Sequence, residues 1–199
     1  SYTRSELEEW FAHLTEAYQK WAQMQLEWKT ERKASIGKTV FPFPYREGQK
    51  DLAAAVYRTI WHGKKLFIQA PTGVGKTLST VFPAVQAVGQ ELGDKIFYLT
   101  AKTITRTVAE EAFSLLKKQG LHYKVLTLTA KEKICFCEEP DCNPEKCPYA
   151  KGHFDRVNDA VYELLTSYEE NSANYSRERI MEQAEKWKVC PFEMALDVS

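Results

Sequence analysis

No stretch of the 199 residues is apolar for long enough to span a bilayer: the longest purely apolar runs are a few residues, and no apolar leader opens the chain. Charge of either sign is not in excess, since 27 Lys and Arg balance 27 Asp and Glu. That excludes a histone-like binder of polyanions, although a local basic groove remains compatible with a neutral total. Cysteine is missing from everything before Cys135, and no Cys-x-x-Cys pair occurs anywhere. Internal repeats and low-complexity runs are also lacking. What is there is ordinary for a folded chain: 44% apolar and 27% charged residues, enough for one generous domain or a domain carrying a smaller insert. The sequence opens on Ser1 rather than Met and is expected to be a piece of something larger.

The five cysteines fall between Cys135 and Cys190. A secreted disulfide framework is normally shorter, leader-bearing and even in count, so a late, odd-numbered cluster suggests an intracellular, cytoplasmic metal or iron–sulfur site.

Along the chain, Leu7, Trp10, Leu14, Ala17, Trp21, Met24 and Trp28 recur in steps of three and four, which predicts one long helix over 3–31 with its tryptophans on one face. Residues 30–40 read as basic and irregular, and Phe41-Pro42-Phe43-Pro44 as a linker, because proline removes a donor and restricts the residue before it. Beyond it a regular alternation begins. Helices are expected near 47–60, 76–90 and 104–118, and strands at 65–69, 95–99 and 123–129. Strands alternating with helices of this length indicate an α/β fold, a parallel sheet with helices on its faces. The alternation breaks at Lys131. Residues 132–150 hold four cysteines and three prolines, and two polar helices follow near 154–169 and 175–188. The expected organisation is an N-terminal helix and linker (1–40), a phosphate-loop lobe (41–130), a cysteine-bearing, helix-rich insert (131–192) and the start of a return to the lobe (193–199).

Ala70-Pro71-Thr72-Gly73-Val74-Gly75-Lys76-Thr77 lies between an expected strand and an expected helix. Glycines let the backbone curl so that successive N–H groups face a phosphate chain, and the helix N-terminus adds a favourable dipole. Lys76 can reach the β- and γ-phosphates of ATP and the Thr77 hydroxyl can ligate Mg²⁺, which makes these two the candidate catalytic residues. The pattern departs from the usual one in placing Ala70 where glycine normally opens it. Upstream, the Gln49 amide can both donate to and accept from an adenine edge, although an isolated glutamine of this kind is more often a solvated surface residue.

Together with Tyr45-Arg46-x-x-Gln49, the loop resembles the first lobe of superfamily 2 helicases, whose phosphate-loop fold is RecA-like. Tyr98-Leu99-Thr100-Ala101-Lys102-Thr103 falls where those proteins touch the DNA backbone. The segment opening at Lys131-Glu132-Lys133-Ile134-Cys135 resembles the iron–sulfur helicases of the DinG/XPD type. The resemblance covers about residues 41–199 and implies a 5′-to-3′ ATP-dependent DNA helicase, with Tyr45, Arg46, Gln49 and Ala70 to Thr77 at the nucleotide. It further implies a 4Fe-4S cluster on Cys135, Cys142, Cys147 and Cys190, with Cys137 left open as a ligand. It also implies a second helicase lobe in the parent protein. No acidic Walker B pair follows the third expected strand, so the chain by itself is expected to be inactive in hydrolysis.

From the residues alone the metal question stays open between an iron–sulfur cluster, structural zinc and inert thiols; the missing Cys-x-x-Cys knuckle lowers the case for zinc. Between 101 and 133, seven basic residues face three acidic ones. Lys102, Thr103, Thr105 and Arg106 sit beyond a strand's C-terminal end, where phosphates of single-stranded DNA can be tracked without sequence readout. Lys117 and Lys118 read as solvated helix face, and His153 as a solvated loop residue. The alternatives are a zinc-stabilised nucleic-acid-binding module and a phosphate-loop enzyme unrelated to DNA.

Overall fold

The computed structural model describes residues 2–199 apart from Thr72, Val74, Ala101, Lys102 and 168–172, and without the side chains of 103–106. The chain divides into two compact units, Ser1–Tyr123 and Lys124–Ser199.

The first unit is helical. Helix α1 spans Arg4–Lys38. Thr3 and Glu6 cap it reciprocally: the Glu6 N–H donates to Thr3 Oγ1 (3.3 Å) and the Thr3 N–H to Glu6 Oε2 (2.7 Å). Its C-terminal half is docked. Trp28 and Ile36 are buried, whereas Leu7, Trp10, Phe11, Leu14 and Tyr18 are exposed. Helix α2 (Gln49–Trp61) packs along α3 (Lys76–Gly89), and α4 (Thr103–Lys117) packs on α3 from another side. The core of this unit is Val81, Val85, Ala87 and Val88 of α3 with Ala112, Phe113 and Leu116 of α4. Polar contacts lock α1 in place. Gln86 Nε2 donates to the Ile36 and Thr39 carbonyls (3.3 and 3.0 Å), and Lys33 pairs with Glu91 at 2.8 Å.

In the second unit strand β1 (Val125–Leu126) pairs in parallel with β2 (Asn174–Tyr175), Val125 opposite Asn174. A parallel pair needs a long crossover. Here it contains α5 (Lys131–Ile134), the cysteine loop and α6 (His153–Thr166). Helices α7 (Arg177–Trp187) and α8 (Pro191–Val198) complete the unit. Its core joins Val157, Ala160, Val161 and Leu164 to Ile180, Ala184, Val189 and Met194. Ser176 caps α7 through its hydroxyl, which accepts from the Arg179 N–H at 3.3 Å.

Several expectations are corrected. The helix foreseen over 3–31 continues to Lys38, so 30–38 is not irregular. The expected strands at 65–69 and 95–99 carry no ladder among the described residues, and of 123–129 only Val125–Leu126 is paired. Phe67 is 93% exposed and Leu99 90%. An apolar run signals that a segment suits a sheet but does not supply the partner whose carbonyls make it a strand. Among the described residues the parallel sheet is therefore a two-stranded one, and its second strand is Asn174–Tyr175, which the sequence placed at a helix start. Lys117 is half-buried rather than solvated, and burial pulls its amine down to about 7. No described helix is long and apolar enough to cross a membrane.

Candidate functional site

The sequence brings a phosphate loop to the N-terminus of α3. Gly73 and Gly75 take φ of 85° and 70°, the left-handed region in which a side chain is strained. Gly75 is the N-cap of α3 and offers no side chain to the first-turn N–H groups, so these donors and the positive helix end remain available to an anion. Lys76 lies in the first turn, with its Nζ donating to the carbonyls of Ala70 (2.9 Å) and Pro71 (2.6 Å). Thr72 and Val74 lie outside the described residues. Thr77 is half-buried and lines a cavity of about 250 Å³ with Phe41, Phe43, Arg46, Gln49, Val108 and Glu111.

The residues before α2 reach the same loop. The Arg46 Nη1 donates to the Gly73 carbonyl at 3.0 Å, and the Arg46 N–H donates to Gln49 Oε1 at 2.8 Å. Gln49 is 7% exposed, so it is no solvated surface residue. A Cβ on Gly75 would stand 2.4 Å from Gln49 Nε2, which leaves glycine as the residue that fits both the turn and the close approach. Tyr45 stacks on Phe41 with ring centroids 4.1 Å apart, and Phe41 meets Phe82 edge-on at 5.6 Å. Burial raises the Tyr45 phenol. These rings line a second cavity of about 520 Å³ with Val40, Phe43, Pro44 and Gln86. The Phe-Pro-Phe-Pro segment, which connects α1 to α2 without regular structure, also forms a wall of these cavities. Two aromatic residues spaced by prolines beside a phosphate-loop motif were the signal for it. Arg46, Gln49, Ala70, Pro71, Gly73, Gly75, Lys76 and Thr77 are thus gathered around one loop, with Tyr45 in the neighbouring aromatic wall.

Of the candidate DNA contacts, Lys102 lies outside the described residues. Thr103, Thr105 and Arg106 belong to the first turn of α4, with their side chains outside the description.

In the second unit the cysteines form two neighbouring groups. Cys135 caps the C-terminus of α5, and the Cys137 N–H turns back onto its sulfur at 3.4 Å. The Cys137 thiol is pushed up to about 11 by burial, then by the adjoining thiols of Cys147 and Cys135. At the start of α5, the Lys131 ammonium is raised chiefly by hydrogen bonding to the Cys142 thiol, with Glu193 and Cys190 adding to the field. It stands 4.0 Å from Glu193 and 5.5 Å above the Phe192 ring. Cys190 is the N-cap of α8 without a side-chain cap bond, and burial raises its thiol against the opposing pull of the Glu193 and Phe192 N–H groups. All five thiols are free. Among the described residues no group of three or more His, Cys, Asp and Glu is close enough to hold a single metal ion. Thiolate sulfurs are the donor type an iron–sulfur cluster takes, but the described residues do not bring them together as a ligand set.

His153 was misjudged by the sequence. It opens α6, is 4% exposed, and its Nδ1 accepts the Cys190 N–H at 3.2 Å; burial lowers its imidazole. Nothing local marks a contact with a residue 37 positions away.

Comparison with known proteins agrees with the phosphate loop. Residues 47–136 match the DEAD/DEAH box helicase family. A probable ATP-dependent helicase of Methanocaldococcus jannaschii is 45% identical over 49 residues, 24% of this chain and 8% of that protein. The chain therefore aligns with a small part of that relative's length. No solved structure matches.

Proposed function

We propose that this chain carries the nucleotide-binding part of an ATP-dependent nucleic-acid helicase. The observation that carries this is the loop itself, inside the segment that matches the helicase family: Lys76 and the open N-terminus of α3, approached by Gln49 and by Arg46 just before that segment. The residues act as follows. First-turn N–H groups of α3 and Lys76 hold the phosphates, Thr77 holds Mg²⁺, and Tyr45, Arg46 and Gln49 position the base end of ATP. Lys76 must leave two backbone carbonyls to do so. The exchange is favourable because a charge–charge contact replaces two charge–dipole contacts.

The finer reading extends the proposal to a DinG/XPD-type, 5′-to-3′ DNA helicase. Lys102, Thr103, Thr105 and Arg106 would follow the phosphates of a single strand, with N–H groups of the first turn of α4 assisting. A 4Fe-4S cluster would be held by Cys135, Cys142, Cys147 and Cys190, with Cys137 close enough to Cys135 and Cys147 to compete as a ligand. Such a cluster would serve structure rather than electron transfer. A second lobe is required to complete the hydrolytic site.

The test is a titration of fluorescent ATP against the chain and Lys76→Ala. Wild-type binding that is lost in a folded Lys76→Ala protein is expected; equal affinity in both overturns the nucleotide assignment. Iron, sulfide and zinc measured on protein purified without oxygen test the finer reading. Stoichiometric zinc without sulfide favours the zinc-stabilised module in place of the cluster.

A further inference from the structure

We propose that the first turn of α6 is a latch for the cysteine that arrives last: His153 and Arg156 are positioning residues that fix the Lys188–Cys190 segment and with it the Cys190 sulfur. The proposal rests on the reading of Cys190 as a cluster ligand, but its geometry stands on the chain alone.

Cys190 reaches the cysteine loop only after a long excursion through α6, β2 and α7, and holding it there means opposing the entropy of a long closed loop. Three consecutive grips do this. Arg156 Nε donates to the Trp187 carbonyl at 2.9 Å and Nη2 to the Lys188 carbonyl at 2.6 Å. Those carbonyls belong to the end of α7, where the last C=O groups lack helical partners and the dipole is negative, so a guanidinium suits them in both respects. The same Nη2 also donates to the Lys151 carbonyl at 2.8 Å, which ties the grip to the residues entering α6. Gly152 makes room for it: φ is 68°, and a Cβ would stand 2.5 Å from Arg156 Nη1.

The chain then reverses at Lys188, a non-glycine residue held at φ 51°, and buries Val189 completely. Immediately after, the Cys190 N–H donates to His153 Nδ1. An imidazole that accepts at Nδ1 carries its proton on Nε2, and that buried nitrogen has no hydrogen-bond partner among the described residues. The ring is therefore used from one side, as an acceptor for main chain. Residues 153 and 156 share one helical face, so one turn of α6 holds positions 187, 188 and 190 at once. Cys190 is left at the N-cap position of α8, with its sulfur near Lys131.

The experiment measures alkylation of each cysteine by iodoacetamide in the full chain kept free of iron, resolved by mass spectrometry. Exposed Cys142 serves as the internal reference. His153→Phe keeps a planar ring without the acceptor and is expected to raise the Cys190 rate roughly tenfold relative to Cys142, the effect of one lost buried hydrogen bond on local opening. His153→Gln, whose amide oxygen can accept, is expected to return it to within about twofold. Arg156→Gln provides a second variant should His153→Phe not fold, with the same rise expected. An unchanged Cys190 rate in folded His153→Phe or Arg156→Gln overturns the latch, as does a rise shared equally by Cys142. Iron and sulfide after anaerobic reconstitution separate the two readings. A latch that passes the alkylation test in a chain that takes up no iron stands, and the cluster assignment fails by itself.

Discussion

Gly89→Ala probes the joint on which the N-terminal helix depends. Gly89 closes α3, and a Cβ built there would lie 2.5 Å from Ile36 Cγ2 and 3.2 Å from Ile36 Cβ. Ile36 is 1% exposed, and Gln86 holds the carbonyls of Ile36 and Thr39, so α1 cannot slide away without breaking those bonds. Overpacking of this kind costs about 1–3 kcal/mol. Alanine recovers up to about 1 kcal/mol of helix propensity, less at a helix end, which leaves a net loss of about 1–2 kcal/mol. Ile36→Ala alone should cost about 2–5 kcal/mol by opening a cavity. In that background the 2.5 Å contact with Cγ2 is gone and only the 3.2 Å approach to Cβ remains, so Gly89→Ala should be neutral or stabilising by up to about 1 kcal/mol. The cycle therefore predicts a coupling of about 2 kcal/mol, well beyond the ~0.5 kcal/mol within which independent sites add. Urea unfolding followed by circular dichroism, with unchanged m, measures it. ATP affinity should not change, because Lys76 stands about 20 Å away along α3 at 1.5 Å per residue. A Gly89→Ala protein as stable as wild type, or additivity in the cycle, refutes the packing argument.

Other perturbations follow the same logic. Lys117 is brought down to about 7 by burial, so below that pH the folded state bears the full cost of a buried ammonium. Between about 7 and the ordinary 10.5 the unfolded chain holds the extra proton and stability rises with pH, by up to about 1.4 kcal/mol per unit. Lys117→Met should be more stable than wild type near pH 7, with the gap narrowing towards pH 10 in paired thermal melts; a gap independent of pH contradicts the burial argument. Gln49→Ala removes the acceptor of the Arg46 N–H and should weaken ATP binding about 5- to 10-fold in a fluorescence titration without unfolding the chain. Equal affinity would show that the Gln49 contact does not shape the loop.

What was legible in the sequence was what depends on near neighbours. The helices over Gln49–Trp61, Lys76–Gly89 and Thr103–Lys117 emerged from periodicity, and the phosphate loop from a motif whose parts lie within one turn. The tryptophans that the sequence places on one face of α1 differ in burial: Trp28 is buried and Trp10 is 62% exposed, because only the C-terminal half meets α3. Strand pairing failed at 65–69 and 95–99 for the opposite reason, since a ladder is a property of two segments and the sequence names only one. His153 failed likewise, its partner lying far along the chain. Gln49 shows the middle case. The motif marked it, but its burial depends on the passage of Gly75 beside it.

The lysine of the loop has two duties. In the structure its ammonium bridges the carbonyls of Ala70 and Pro71, so one side chain both orders the loop and supplies the charge for phosphate. These two duties separate under substitution. Lys76→Arg keeps the charge and donors but replaces a compact ammonium with a wide planar fork that cannot occupy the same point between two carbonyls. Lys76→Met keeps the stem and loses both duties. If loop order dominates, both variants should lose ATP affinity to a similar degree and both should raise backbone amide exchange at 70–75. If charge dominates, Lys76→Arg should retain part of the affinity while exchange rises in both. Because both carbonyl bonds, at 2.9 and 2.6 Å, are given up when the ammonium turns to phosphate, the second outcome is expected, and an arginine variant that loses as much affinity as Lys76→Met would refute it.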